Sequence, residues 1–206
     1  MTYAARALSL TALPDIPMVS PGDDLARLLA DALARAGVAP APGDVLVLAQ
    51  KIVSKAEGRA LPLAGIEPSA AAIDIAARAD KDPRLVELIL SEADEVMRVR
   101  PGVIIVRHRL GLVLANAGID HSNVDEVALL LPCDPDASCA TLRARLRERT
   151  GADFAVVIID SLGRAWRNGT VGTAIGASGL PGLLDLRGQP DLFGRPLRTS
   201  ELGYAD

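Results

Sequence analysis

Helical and extended hydrophobic periods alternate along this 206-residue chain, and that alternation restricts it to folds that pack helices against a sheet. SPGDDLARLLADALARAG (20–37) sets Leu25, Leu28, Leu29 and Leu33 at helical spacing behind Asp23 and Asp24, either of which can cap the start, and Gly37 can end the helix. GDVLVLAQ (43–50) is a compact β-rich run whose lack of alternation predicts a strand buried on both faces. It delivers KIVSKAEG (51–58), in which Ser54, Glu57 and Gly58 make a polar turn. Residues 68–79 and 82–92 read as two helices, one opening at Pro68 and Ser69, the other at Asp82 and Pro83. VIIVRHRLGLVLANA (103–117) reads as a hairpin turning at RHRLG. DPDASCATLRARLRERTG (134–151) has an acidic start, a basic last turn and a glycine stop, so it reads as a further helix. FAVVII (154–159) is a buried strand ending at Asp160. The expectation is a mixed α/β (α+β) fold in one domain, residues 1–206, within which 68–92 forms a helical lobe.

Half of the residues are hydrophobic but only 2% are aromatic, so Leu, Val, Ile and Ala must fill the core and aromatic stacking is disfavoured as a binding mode. A formal charge of -4 argues against a nucleic-acid or anionic-membrane partner, since both need a basic field. No uninterrupted apolar run approaches the ~20 residues needed to cross a bilayer. Cys133 and Cys139 are too few for a disulfide scaffold, and Cys139 reads as a small core residue. A soluble, cytoplasmic protein is expected.

Two polar stretches carry the chemistry. LANAGIDHSN (114–123) and VVIIDSLGRAWRNG (156–169) each read as a loop at the end of an apolar strand, where a rigid sheet can hold a site. Each supplies an aspartate. An unpaired carboxylate at the mouth of a buried strand loses solvation, and a divalent cation would offset that loss. Mg²⁺ favours one or two carboxylates together with phosphate oxygens, so Asp120 and Asp160 converging on shared ions also predict a phosphate-bearing substrate. The plainer alternative is that each Asp caps a turn. Lys55, with Lys51 four residues earlier, offers an ammonium suited to a triphosphate. Arg164 and Arg167 are further anion-binding candidates, against the alternative of a surface turn around a buried Trp166. His121 adjoins the first stretch and reads most simply as a turn histidine. Neither G-x-x-x-x-G-K-[ST] nor G-x-G-x-x-G is present, so any nucleotide is held by another constellation.

In this order, LPDIPMVSPGDDL, KIVSKAEG, KDPRLVELILSE, ANAGIDHSN, LPCDPDASCATLR and DSLGRAWRNG resemble the coenzyme F-420-0:gamma-glutamyl ligase family, which also supplies the N-terminal half of some proteins with a nitroreductase-like second half. The resemblance implies a two-lobed mixed-sheet fold, a homodimer, and a GTP-dependent ligase that joins L-glutamate to coenzyme F-420-0 through an acyl phosphate. It implies GTP contacts at Leu13, Pro14, Asp15, Ile16, Gln50, Lys55 and Asn123. Metal ligation falls to Asp120, Asp160 and Ser161, and the catalytic set is Asp120, Asp160 and Lys55. Ser161 stands where the family more often has threonine, and Gln50 where it often has serine or threonine. The implied ions are Mg²⁺ or Mn²⁺, two in the intact family site, with K⁺ a further candidate. The family pattern also runs on beyond TSELGYAD (199–206) through an acidic, alanine-rich helix, so a C-terminally truncated domain is expected. Two alternatives stay open: a non-catalytic nucleotide-binding or assembly module, and a metal-dependent phosphohydrolase.

Overall fold

A computed structural model describes residues 7–122, 127–164 and 166–206. Side-chain caps fix where the longer helices begin. Asp24 accepts a hydrogen bond from the Arg27 N–H at 3.0 Å and opens α1 (Leu25–Arg35), whereas α2 (Gln50–Ala56) starts directly from a strand with no side-chain cap. Ser69, Asp82 and Asp134 cap α3 (Ala70–Ala79), α4 (Pro83–Ser91) and α5 (Pro135–Thr150) in the same way. Each such cap contributes about 1 kcal/mol. Gly151, at φ 74°, ends α5 in the left-handed conformation that glycine reaches without strain.

The first sheet has the order β1 (Val45–Ala49), β8 (Ala155–Gly163), β9 (Thr170–Ser178). β1 runs parallel to β8, from Val45 opposite Ala155 to Ala49 opposite Ile159, and β9 returns antiparallel. α1 and α5 cover one face of this sheet, burying Leu29, Leu33, Leu48, Cys139, Leu146, Val156 and Ile158 in a first core. Burial pushes the Cys139 thiol up to about 11. A parallel pair requires a long crossover, and here the crossover, residues 50–154, contains a second group of elements. It comprises two antiparallel sheets, β2 (Ala60–Pro62), β7 (Val127–Leu129), β6 (Asp120–Ser122) and β3 (Ala93–Arg100), β4 (Val103–His108), β5 (Val113–Ala115). With α3 and α4 these enclose a second core around Leu63, Val86, Ile89, Ile104 and Val106. A hairpin of β10 (Leu183–Asp185) and β11 (Glu201–Gly203) lies beyond β9. Among the described residues, no helix is long and apolar enough to cross a membrane.

The mixed α/β expectation, the helices read at 20–37, 68–79, 82–92 and 134–151, and the 103–117 hairpin agree with this architecture. Four local readings do not. β1 is not covered on both faces, because Val45 and Val47 are 49% and 52% exposed on the side away from the helices. The polar turn read at Ser54, Glu57 and Gly58 holds only for Glu57 and Gly58, because Ser54 lies inside helix α2. Asp160 lies inside β8, which pairing with β9 extends through the polar residues to Gly163, and Asp120 opens β6, so neither aspartate is in a loop. Trp166 is fully exposed, at φ 64°, which removes the reading of a turn closed over a buried indole.

Candidate active site

Chain direction assembles the site. β1 and β8 are parallel, so both carboxyl ends emerge on one edge, the side where open α/β sheets form ligand crevices. Gln50 and Lys51 follow β1 there as the first residues of α2, and Asp160 and Ser161 follow Ile159 on β8. From the crossover group, β5 leads through a short 3-10 turn (Asn116–Gly118) into Asp120 on β6. Gln50, Lys51, Gly118, Asp120, Asp160 and Ser161 line one open cavity of about 300 Å³.

Strain is concentrated on the turn that delivers Asp120. Asn116, Ala117 and Gly118 all have positive φ, at 52°, 54° and 66°, and Ala117, unlike asparagine and glycine ill suited to that region, stores about 1–2 kcal/mol there. Three contacts hold the turn. Asn116 Oδ1 accepts from the Ile104 N–H at 3.1 Å, Ala117 is fully buried, and a Cβ on Gly118 would come within 2.9 Å of Leu131 Cδ1. A flexible linker would not need such enforcement. The turn fixes where Asp120 enters the cavity.

Electrostatics differ between the two aspartates. The Lys51 ammonium meets Asp120 Oδ2 at 2.6 Å, with both side chains about half exposed. Asp160 is half-buried and forms no ion pair among the described residues. Gln50 is buried at 2% exposure, and its Oε1 accepts from Ser54 Oγ at 2.8 Å, which orients the side chain at the cavity wall. Two carboxylates and a hydroxyl are the hard oxygen donors that Mg²⁺ or Mn²⁺ takes. An ammonium already seated on one of them is a stand-in cation, so the residues fit a divalent ion. Among the described residues no group of three or more His, Cys, Asp and Glu is placed to hold a metal ion.

The other sequence candidates lie elsewhere. Lys55, one helical turn beyond Lys51, is not part of the cavity lining, and neither are Leu13, Pro14, Asp15 and Ile16. Leu13 and Ile16 pack on the first core, which leaves Pro14 and Asp15 exposed, and Arg35 Nη2 donates to the Asp15 carbonyl at 3.1 Å. Asn123 lies outside the described residues. His121 points its Nε2 into the protein, where that atom has no hydrogen-bond partner among the described residues. Arg164 donates to the Asn168 carbonyl at 2.7 Å and closes its own loop.

Two features were missed from the sequence. Lys51, named from the sequence only as the neighbour of Lys55, pairs with Asp120. The signal was the break in apolar character at Gln50: a helix starting there puts its first-turn residues at the strand's carboxyl end and Lys55 about 6 Å further along the axis. The second feature is a buried charge cluster beside the crossover strands. Glu92, 7% exposed, takes Arg59 Nη2 at 2.9 Å, and Arg109 Nη2 and Nε at 3.0 and 3.1 Å. His108, fully buried, accepts the Leu110 N–H on Nδ1, which leaves its ring proton on Nε2, 3.5 Å from Glu92 Oε2. Burial raises the Glu92 carboxyl, but His108, Arg59 and Arg109 outweigh it and hold it at about 2.

Comparison with known proteins fits this arrangement. The family model described as F420-0:Gamma-glutamyl ligase matches residues 15–206. A protein from Methanothermobacter thermautotrophicus named coenzyme F420:L-glutamate ligase is 46% identical over 200 residues, covering 97% of this chain and 79% of that protein. Its namesake from Methanopyrus kandleri is 49% identical over 189 residues, covering 91% of this chain and 73% of its own length. A third, from Methanocaldococcus jannaschii, is 43% identical over 164 residues, 80% of this chain and 66% of the relative. The chain belongs to the F420-0:gamma-glutamyl ligase family.

Proposed function

We propose that this protein is a GTP-dependent ligase that joins the amine of L-glutamate to the carboxylate of coenzyme F-420-0. The observation carrying this reading is the convergence of Asp120, Asp160, Ser161, Gln50 and Lys51 on one cavity in a chain of this family. Forming an amide from a free carboxylate requires activating it first. Transfer of the γ-phosphoryl group of GTP to the F-420-0 carboxylate releases GDP and gives an acyl phosphate. The glutamate amine attacks its carbonyl carbon, inorganic phosphate leaves, and the amine proton passes to solvent or to the departing phosphate.

This chain's residues serve that sequence by positioning charge. Asp120, Asp160 and Ser161 would hold Mg²⁺ or Mn²⁺, which would supply positive charge against the charge that develops on the transferring phosphoryl oxygens. Lys55 presents an ammonium to the nucleotide phosphates from the second turn of α2. Leu13 to Ile16 offer the nucleotide a firm backbone edge, because two of their side chains are anchored in the core and the Asp15 carbonyl is tied to Arg35. Gln50, and Asn123 outside the described residues, complete the nucleotide contacts. No residue is required as a covalent nucleophile.

The test supplies GTP, Mg²⁺, glutamate and F-420-0 and follows glutamylated product together with GDP. Asp120→Ala and Asp160→Ala should each lower turnover by at least about a hundredfold, the scale of losing transition-state charge stabilisation. Normal turnover in either variant defeats the assignment. GTP loss without glutamate consumption would mark a phosphohydrolase instead.

A homodimer is part of the same reading. It is supported by the outer face of the first sheet, where Val45, Val47, Val157 and Ile159 line a groove of about 380 Å³ under Leu180 and Tyr204. Val47→Glu should convert a dimer into monomer in light scattering, and an unchanged mass refutes that face.

A further inference from the structure

Lys51 occupies a contact that its chemistry does not make permanent. Its Nζ sits 2.6 Å from Asp120 Oδ2, yet the two side chains are 55% and 44% exposed. An ion pair so solvated shifts an equilibrium by only roughly two- to fivefold. The backbone beneath it is fixed, because Gln50, Val53 and Ser54 are buried and Ser54 Oγ bonds Gln50 Oε1. Any movement therefore belongs to the lysine's flexible four-carbon stem alone. Asp160 and Ser161 line the same cavity, and Asp160 has no cation of its own among the described residues.

An ammonium and a divalent ion cannot share Asp120 comfortably, since like charges a few ångströms apart repel. We infer that Lys51 is a displaceable counter-ion: it neutralises Asp120 in the metal-free protein, and once a divalent ion takes that carboxylate it swings into the cavity to pair with the terminal phosphoryl oxygens of a nucleoside triphosphate. The inference rests on the reading of Asp120 and Asp160 as metal ligands. It gives Lys51 a role separate from Lys55, one turn farther along α2. It also makes metal loading a condition for holding a triphosphate in preference to a diphosphate, because the ammonium is free for the third phosphate only after Asp120 releases it.

The experiment is calorimetric titration of the whole chain with Mn²⁺, then with GTP and with GDP at saturating Mn²⁺, for wild type, Lys51→Gln, Lys51→Arg and Asp120→Asn. Lys51→Gln should bind Mn²⁺ about two- to fivefold tighter, because the competing cation is gone. It should also lose roughly tenfold of the preference for GTP over GDP, the scale of one charge-assisted bond to phosphate. Lys51→Arg, which keeps the charge, should retain most of that preference. A lysine serving only as a surface ion pair would leave the GTP-to-GDP ratio unmoved. Unchanged or weaker Mn²⁺ binding in Lys51→Gln, or an unchanged ratio, overturns the inference. If Asp120→Asn abolishes Mn²⁺ binding while Lys51→Gln alters nothing, the metal-site reading stands and the inference alone falls. If wild type binds no Mn²⁺, both fall.

Discussion

Replacing Glu92 by glutamine tests whether the buried charge cluster holds the crossover elements together. Glu92 caps the end of α4, and its carboxylate gathers Arg59 from beyond α2 and His108 and Arg109 from the end of β4. Those arginines also reach the carbonyls of Leu131 and Cys133, so one carboxylate organises four chain segments. A carboxyl held at about 2 against an ordinary 4.5 contributes about 3 kcal/mol of stability at neutral pH. The folded value is depressed, so this contribution is complete above about 4.5 and is lost as pH falls from there towards 2. The Glu92→Gln variant would keep the shape, lose the charge and turn one acceptor into a donor facing other donors. Urea unfolding followed by circular dichroism should place the variant about 3 kcal/mol below wild type at pH 7, the scale on which removing one member of a buried ion cluster acts. By pH 3 the gap should shrink to less than half of that. A deficit under about 1 kcal/mol at pH 7, or one equally large at pH 3, would refute the argument.

Two further outcomes are expected. Gly118→Ala adds a methyl group at φ 66° within 2.9 Å of Leu131 Cδ1, so it should cost about 1–3 kcal/mol in unfolding and weaken Mn²⁺ binding by displacing Asp120; a neutral effect on both would show that the turn is not strained. In native protein a maleimide should label the exposed Cys133 and leave Cys139 unmodified until denaturant is added, because burial keeps the Cys139 thiol protonated, with its value at about 11; labelling of both at equal rates would contradict the packed core.

What could be read from the sequence was what neighbours in the chain decide. α1, α3, α4 and α5 were visible because each starts at its own capping side chain, Asp24, Ser69, Asp82 or Asp134, a signal that needs only three or four residues. α2 has no such cap, is seven residues long and includes Ile52 and Val53, so its helical state comes from packing and not from propensity. β3, ADEVMRVR, has no buried residue and is half charged, with irregular pairing to β4 near Asp94 and Met97; nothing local distinguishes it from a solvated turn until the partner strand is in place. The polar half of β8 was likewise invisible, because Asp160, Ser161 and Leu162 are held extended by Thr173, Gly172 and Val171, contacts made only after the chain returns.

The same division runs through the site. Asp120 and Asp160 stood out because polar groups at the ends of apolar strands need an explanation, and that argument requires no knowledge of the fold. Which cation meets Asp120 does require it, since that turns on where α2 begins, directly after Ala49 at the end of β1. Glu92, Arg59, His108 and Arg109 were out of reach for a stronger version of the same reason. Arg59 is 33 residues from Glu92, and each of these residues is an ordinary polar side chain in isolation. Only burial turns them into a cluster, by removing the water that would otherwise solvate each one separately. Position in a fold, more than residue type, separates a surface charge from a functional or structural one, and Lys51 shows both states in a single side chain: half exposed like any surface lysine, yet seated on the Asp120 carboxylate at the cavity wall.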